Sequence, residues 1–146
     1  MSQATTKATR HRVLIVDDEE SMRLLLARIL VNGLKVEVTL AGTCEQALRL
    51  AGNYAYDAIL LDLLMPGIGG FQVLREIRRA SPNIATPVII VSVLADQATK
   101  DRCLRAGANA YLVKPTALNE LVRMVKTIRD FWLSLTAWTA CRILNS

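Results

Sequence analysis

"AILLDLLMPGIGG", residues 58–70, is an apolar run that stops at one carboxylate, Asp62, and passes into a glycine-rich turn; helical spacing follows in Val73, Leu74 and Ile77. A short continuous apolar run bounded by turn residues reads as a strand covered on both faces, and the spacing after it as the inner stripe of a helix. Strand, turn and helix in that order make one unit of a parallel sheet. Burying the lone acid at the strand end is costly unless a partner group or a cation compensates it. The compensating groups must come from elsewhere in the chain.

The unit recurs. Apolar or β-branched runs stand at "RVLIV" (12–16), "VEVTL" (36–40), "DAILLD" (57–62), "PVIIVS" (87–92) and "AYLVK" (110–114). Helical stripes lie between and after them: Met22, Leu25, Leu26 and Ile29; Cys44, Ala47, Leu48 and Ala51; Ala98, Cys103 and Leu104; Leu118, Leu121, Val122, Val125 and Ile128. Five strand-helix repeats with short connections imply right-handed crossovers and a doubly wound α/β fold. Thr43 with Gln46 resembles a capping box, Gly33 and Gly107 follow helical segments, and Thr116 is placed to cap the last helix after Pro115. In such a sheet, sites form outside the carboxyl ends of the strands.

The chain's 146 residues suit a single domain, and 52% hydrophobic residues are enough to fill its core. Apolar stretches such as residues 88–95 fall well short of the roughly 18 residues a membrane-spanning helix needs, and "MSQATTKATR" lacks the apolar centre of a signal peptide. The expectation is a cytoplasmic protein without membrane insertion. Cys44, Cys103 and Cys141 are far apart and without metal-ligand spacing, which favours reduced structural thiols over a disulfide or a zinc site. A net charge of +5 invites a nucleic-acid partner, but the basic residues are scattered, and neither a helix-turn-helix segment nor an aromatic-basic RNA motif is evident. Solvated helix faces account for them, with no direct nucleic-acid contact.

The strand ends carry Asp17, Asp18 and Glu19 after the first run, Asp62 at the third, Ser92 at the fourth, and Lys114 with Pro115 at the fifth. Carboxylates crowded in one crevice repel one another, and a divalent cation with oxygen ligands is the simplest way to keep them all ionised; magnesium fits. A carboxylate can attack phosphorus to form an acyl phosphate if a metal and a cation neutralise the transferring oxygens. Asp62 is then the nucleophile, and Asp17 or Asp18 holds the metal. Lys114 and the Ser92 hydroxyl donate to phosphoryl oxygens, Lys114 pairing with Asp62 when no phosphoryl group is there. The competing readings are a solvated acidic turn for Asp17 and Asp18, backbone satisfaction for Ser92, an ordinary half-buried aromatic for Tyr111 and a surface position for His11.

"VLIVDDEE", "ILLDLLMPGIGG", "PVIIVS" and "GANAYLVKP" resemble, in order and spacing, the signatures of the CheY-like receiver domain of bacterial two-component response regulators, over about residues 11–130. The resemblance implies a flavodoxin-like sheet of five parallel strands in the order 2-1-3-4-5. It implies Asp17 and Asp18 as the acidic pair, Asp62 as phosphoacceptor, Ser92 as the switch hydroxyl, Tyr111 as the rotating aromatic and Lys114 as the lysine of the site. The backbone carbonyl of Leu64 would complete a Mg2+ shell formed with Asp17, Asp18 and Asp62, and the Lys114–Pro115 bond would be cis. The implied function is a single-domain response regulator that takes a phosphoryl group from a sensor histidine kinase or phosphotransfer protein. It signals to a downstream protein target by changed contacts, and it catalyses only its own phosphorylation and slow dephosphorylation. Val93 beside the switch hydroxyl, Gly69 in place of a common aspartate and Thr116 in place of an aromatic depart from the family's habit; none removes a reacting group.

Three other classes compete. A haloacid-dehalogenase-like phosphatase also uses a strand-end aspartate but wants a second aspartate two residues later, where this chain has Leu64. A pseudo-receiver acting only as a binding module would usually lose a reacting group. A nucleotide-binding domain would want a glycine-rich loop after the first strand, where "DDEESMR" stands.

The domain reading is a flexible tail over 1–10, a receiver domain over 11–130 and an apolar extension over 131–146. Leu118 to Leu135 continue one stripe, and Phe131, Leu133 and Trp138 add apolar area that one small domain does not need. A homodimer through the last helix and tail competes with a tail folded back on its own domain. "MVKTIRDFWL" also resembles the ending of small regulators paired with bacterial phytochrome kinases.

Overall fold

The computed structural model describes residues 11–31, 36–79 and 81–130. The N-terminal tail, the Gly33 cap, Cys141 and the extension over 131–146, with the dimer expected of it, lie outside the described residues.

Strands β1 (His11–Val16), β2 (Val36–Ala41), β3 (Ala58–Leu61), β4 (Val88–Ser92) and β5 (Ala110–Val113) alternate with helices α1 (Glu20–Val31), α2 (Cys44–Asn53), α3 (Gly70–Arg79) and α4 (Gln97–Arg105), and α5 occupies 118–130. All five strands pair in parallel in the order β2-β1-β3-β4-β5. Val16 lies opposite both Ala41 and Leu61, and Ser92 opposite Val113, so the carboxyl ends finish together along one edge.

Alternation along each strand divides the core in two. Leu14, Val16, Ile59, Leu61 and Ile90 meet the buried stripes of α2, α3 and α4. Val13, Ile15, Leu60, Ile89 and Val91 meet Leu26 and Leu30 of α1 and Val125 and Ile128 of α5. The central strands β1, β3 and β4 must therefore be apolar at nearly every position, as the sequence has them, while the edge strands β2 and β5 are mostly half-buried. The outer helical stripes are narrower than their spacing suggests. Leu104 and Leu118 are exposed, and α4, beside the edge strand β5, buries only Cys103.

The caps hold with two adjustments. The Gln46 N–H donates to Thr43 Oγ1 at 3.1 Å, but Gln46 Oε1 accepts from Gly42 N–H at 2.9 Å, one residue before the expected partner. The Leu121 N–H donates to the Ala117 carbonyl at 3.0 Å, which puts Ala117, not Thr116, at the start of α5. Gly107 closes α4 as expected, its N–H donating to the Leu104 carbonyl at 3.1 Å.

Two side chains fix the amino-terminal side of the sheet. Asn83 is fully buried; its Oδ1 accepts from Tyr56 N–H and the Thr86 hydroxyl, and its Nδ2 donates to the Ala51 and Tyr54 carbonyls, at 2.7–3.0 Å. Arg78, at the end of α3, donates from Nε to the Gly107 carbonyl, from Nη1 to the Asn83 and Ile84 carbonyls, and from Nη2 to Asn109 Oδ1, each at 3.0 Å.

Candidate functional site

The residues at the carboxyl edge are placed by one further ladder bond each. Asp17 N–H donates to Ala41 O at 3.1 Å, Asp62 N–H to Val16 O at 2.9 Å and Lys114 N–H to Ser92 O at 2.8 Å. The sheet's pairing thus continues one residue past the strands and holds the backbone under each of these side chains.

Their side chains converge. Lys114 Nζ donates to Asp17 Oδ2 at 2.7 Å and to Asp62 Oδ2 at 3.0 Å, with all three side chains nearly excluded from water. The other carboxylate oxygens turn to the backbone: Asp17 Oδ1 accepts from Glu19 N–H at 2.9 Å and Asp62 Oδ1 from Leu64 N–H at 3.1 Å. Asp18 is exposed, and one oxygen from each of Asp17, Asp18 and Asp62 lies within 4.8 Å of the others. Burial pushes the Asp62 carboxyl above the usual carboxylate range, against the pull of Lys114. Burial alone would lower the Lys114 ammonium, but its bonds to Asp17 and Asp62 outweigh that and hold it above the ordinary lysine value. Three carboxylates face one ammonium, so the cluster has an excess of hard anionic oxygen, a donor set that fits a divalent cation such as Mg2+.

Ser92 is fully buried at the end of β4, with Oγ accepting from Leu94 N–H at 3.3 Å. The Tyr111 hydroxyl donates to the Leu94 carbonyl at 2.7 Å. Burial raises the Tyr111 hydroxyl above its ordinary value, and the Ser92 hydroxyl works against that rise. Tyr111 therefore ties β5 to the loop after β4, beside the Ser92 hydroxyl. Val93 is 58% exposed at the mouth of this end. His11 stands at the opposite end of β1, with Nδ1 4.0 Å from Asp57 Oδ2.

One implied feature is corrected: among the described residues no peptide bond is cis, so Lys114–Pro115 is trans. Trans is the form favoured by about 0.5–1 kcal/mol before proline, and Lys114 Nζ reaches both carboxylates with it.

Gly70 was not read from the sequence as part of the site. A Cβ there would overlap the Asp62 carbonyl oxygen and stand 2.7 Å from Leu63 Cα, and the Gly70 N–H donates to Leu63 O at 3.0 Å. Helix α3 starts directly against the strand end, which bends residues 63–69 around Asp62. The glycine pair ending the opening stretch was the available signal.

The chain is similar in sequence and in fold to proteins of one family. The sequence model of the response regulator receiver domain matches residues 13–126. The response regulator GacA of Pseudomonas aeruginosa is 35% identical over 119 residues, 80% of this chain and 54% of that one. The chain spans about half the length of the curated relatives it matches. Among solved structures, the phosphorylated cyanobacterial phytochrome response regulator RcpA is 28% identical with a TM-score of 0.78, covering 86% of this chain and 96% of that one. The receiver domain of the sensor histidine kinase PA1611 of Pseudomonas aeruginosa, with magnesium coordinated in its active-site cleft, is 34% identical with a TM-score of 0.66, covering 80% and 95%.

Proposed function

We propose that this chain, which belongs to the response regulator receiver domain family, accepts a phosphoryl group on Asp62 from the phosphohistidine of a sensor kinase or phosphotransfer protein. The observation that carries the reading is the single ammonium of Lys114 shared by Asp17 and Asp62 at 2.7 and 3.0 Å, at the carboxyl edge of a parallel sheet. An Asp62 oxygen forms the new O–P bond as the N–P bond breaks, and the leaving imidazole takes up a proton. Lys114 then turns from a carboxylate partner into a donor to a phosphoryl oxygen, and the Ser92 hydroxyl donates to another. Asp17, Asp18, Asp62 and the Leu64 carbonyl are the groups that would hold Mg2+. When bound, the ion neutralises charge on the transferring oxygens. Position 64 offers Asp62 a backbone N–H and no carboxyl, which leaves the phosphatase alternative without its general acid.

Phosphorylation adds roughly −1.5 to −2 charge beside Ser92 and Lys114, drawing both inward; Tyr111, already bonded to the loop after Ser92, follows. The changed surface would be read by a downstream protein. Among the described residues no helix is long and apolar enough to cross a membrane. The test is acetyl phosphate with Mg2+ on the full chain, followed on a phosphate-affinity gel. Wild type should shift and Asp62→Asn should not; equal incorporation by both would overturn the assignment.

A further inference from the structure

We propose that Arg23 is a positioning residue of the acidic site: its guanidinium holds the Asp17 carbonyl and, through that peptide, aims the Asp18 carboxylate at the cluster. The inference rests on the reading of Asp17, Asp18 and Asp62 as a cation site.

Arg23 lies near the start of α1, and its Nη1 donates to the Asp17 backbone oxygen at 2.7 Å. Helical side chains lean toward the N-terminus, so a long one at this position reaches back over the turn that precedes its own helix. The Asp17 N–H is already bound to Ala41 O, and the Arg23 bond fixes the residue's other polar group. The Asp17 carbonyl shares one rigid plane with the Asp18 N–H. Fixing that oxygen therefore fixes the direction in which Asp18 leaves the strand. Asp18 needs this most, because it is exposed and is not one of the carboxylates that Lys114 holds.

Gly42, directly after β2, makes room for the arrangement. A Cβ at that position would stand 2.9 Å from Arg23 Nη1 and 3.2 Å from Arg23 Cζ. The crowded atoms are the far end of a flexible side chain, so an alanine at 42 displaces the guanidinium without disturbing the backbone. Gly42→Ala is thus a way to move Arg23 while leaving it in the chain.

Charge and position predict opposite signs. If Arg23 acted as a nearby positive charge, deleting it would tighten binding of a divalent cation. If it acts by holding the Asp17–Asp18 peptide, deleting it loosens binding. The decisive experiment titrates Mn2+ into the full chain and follows the electron paramagnetic resonance signal of the free ion, for wild type, Arg23→Met, Arg23→Lys, Gly42→Ala, the Arg23→Met/Gly42→Ala double variant and Asp18→Ala. Arg23→Met and Gly42→Ala should each weaken Mn2+ binding by about two- to tenfold, the range of one net hydrogen bond. Arg23→Lys, which keeps a donor, should recover most of it. The double variant should bind no more weakly than Arg23→Met alone, since both changes remove one interaction. The urea midpoint of Gly42→Ala should match wild type. Unchanged or tighter Mn2+ binding by Arg23→Met, additive losses in the double variant, or no recovery with lysine would overturn the proposal, provided Asp18→Ala loses affinity. If Asp18→Ala binds Mn2+ as wild type does, the cation-site reading itself fails.

Discussion

Replacing Lys114 by methionine keeps a flexible stem while deleting the ammonium that stands 2.7 Å from Asp17 Oδ2 and 3.0 Å from Asp62 Oδ2. The Lys114 side chain is only 6% exposed, so water cannot stand in for the lost cation. Removing one partner of a buried ion pair costs about 3–5 kcal/mol, because the remaining charge is uncompensated. Here the Asp62 carboxyl, which burial already raises, can relieve the strain by taking up a proton, which places Lys114→Met near the lower end, about 3 kcal/mol at neutral pH. With an m-value of about 2 kcal/mol per molar urea, the unfolding midpoint should fall by roughly 1.5 M. The loss has a pH signature. In wild type the raised Lys114 pKa means that its pairing stabilises fully below the ordinary lysine value and is lost as pH rises through the higher folded value. In the variant the Asp62 carboxyl, already raised by burial, loses the opposing pull of Lys114 and titrates further above its unfolded value, so stability rises as pH falls and the two proteins converge in acid. Circular dichroism during urea unfolding, in chelator, at about pH 7 and about pH 5 reads both effects. Mg2+ at about a hundred times its dissociation constant should return up to about 2.7 kcal/mol by binding the folded state. A variant as stable as wild type in chelator at neutral pH, or a deficit that does not shrink in acid, would refute the account of the buried charges.

Gly70→Ala should lower stability by about 3 kcal/mol, since its Cβ meets backbone that cannot give way, and should slow phosphorylation by acetyl phosphate; a melting curve matching wild type would contradict the close approach of α3 to Asp62. Asn83→Ala strips partners from the buried Tyr56 N–H and the Ala51 and Tyr54 carbonyls, at about 1–3 kcal/mol for each group left unsatisfied, yet should leave Mn2+ affinity of the folded protein unchanged because it lies away from the carboxyl edge. If residues 131–146 join two chains, sedimentation should give a dimer for the full chain and a monomer for one ending at Asp130; equal masses would remove the dimer.

The strand-helix alternation was legible because central parallel strands must be apolar throughout, and the site because ionisable groups rarely end such strands without a reason. Asp17, Asp18, Asp62 and Lys114 each announced themselves in that way, and the structure brings them together. Asn83 and Arg78 did not, because their partners are mostly backbone carbonyls and amides of loops, which carry no residue signature. Gly70 read as a turn residue, since nothing in a sequence distinguishes a glycine needed for bending from one needed for a close approach. The trans Lys114–Pro115 bond and the exposure of Leu104 and Leu118 went against expectation because each depends on local geometry that family habit or helical spacing does not determine.

The Arg78 fork makes α4 a lever with its fulcrum at one end. Gly107 and Asn109, just past α4, are fastened to α3, while the helix's other end follows the loop where Ser92 and Tyr111 grip Leu94. A helix of 9 residues is about 13 Å long. Tilting it by about 10° about the fastened end carries the free end roughly 2 Å and leaves the fulcrum almost still. A partner that grips the first turn, around Asp96 and Lys100, would feel the whole stroke. One that grips Arg105 would feel almost none of it.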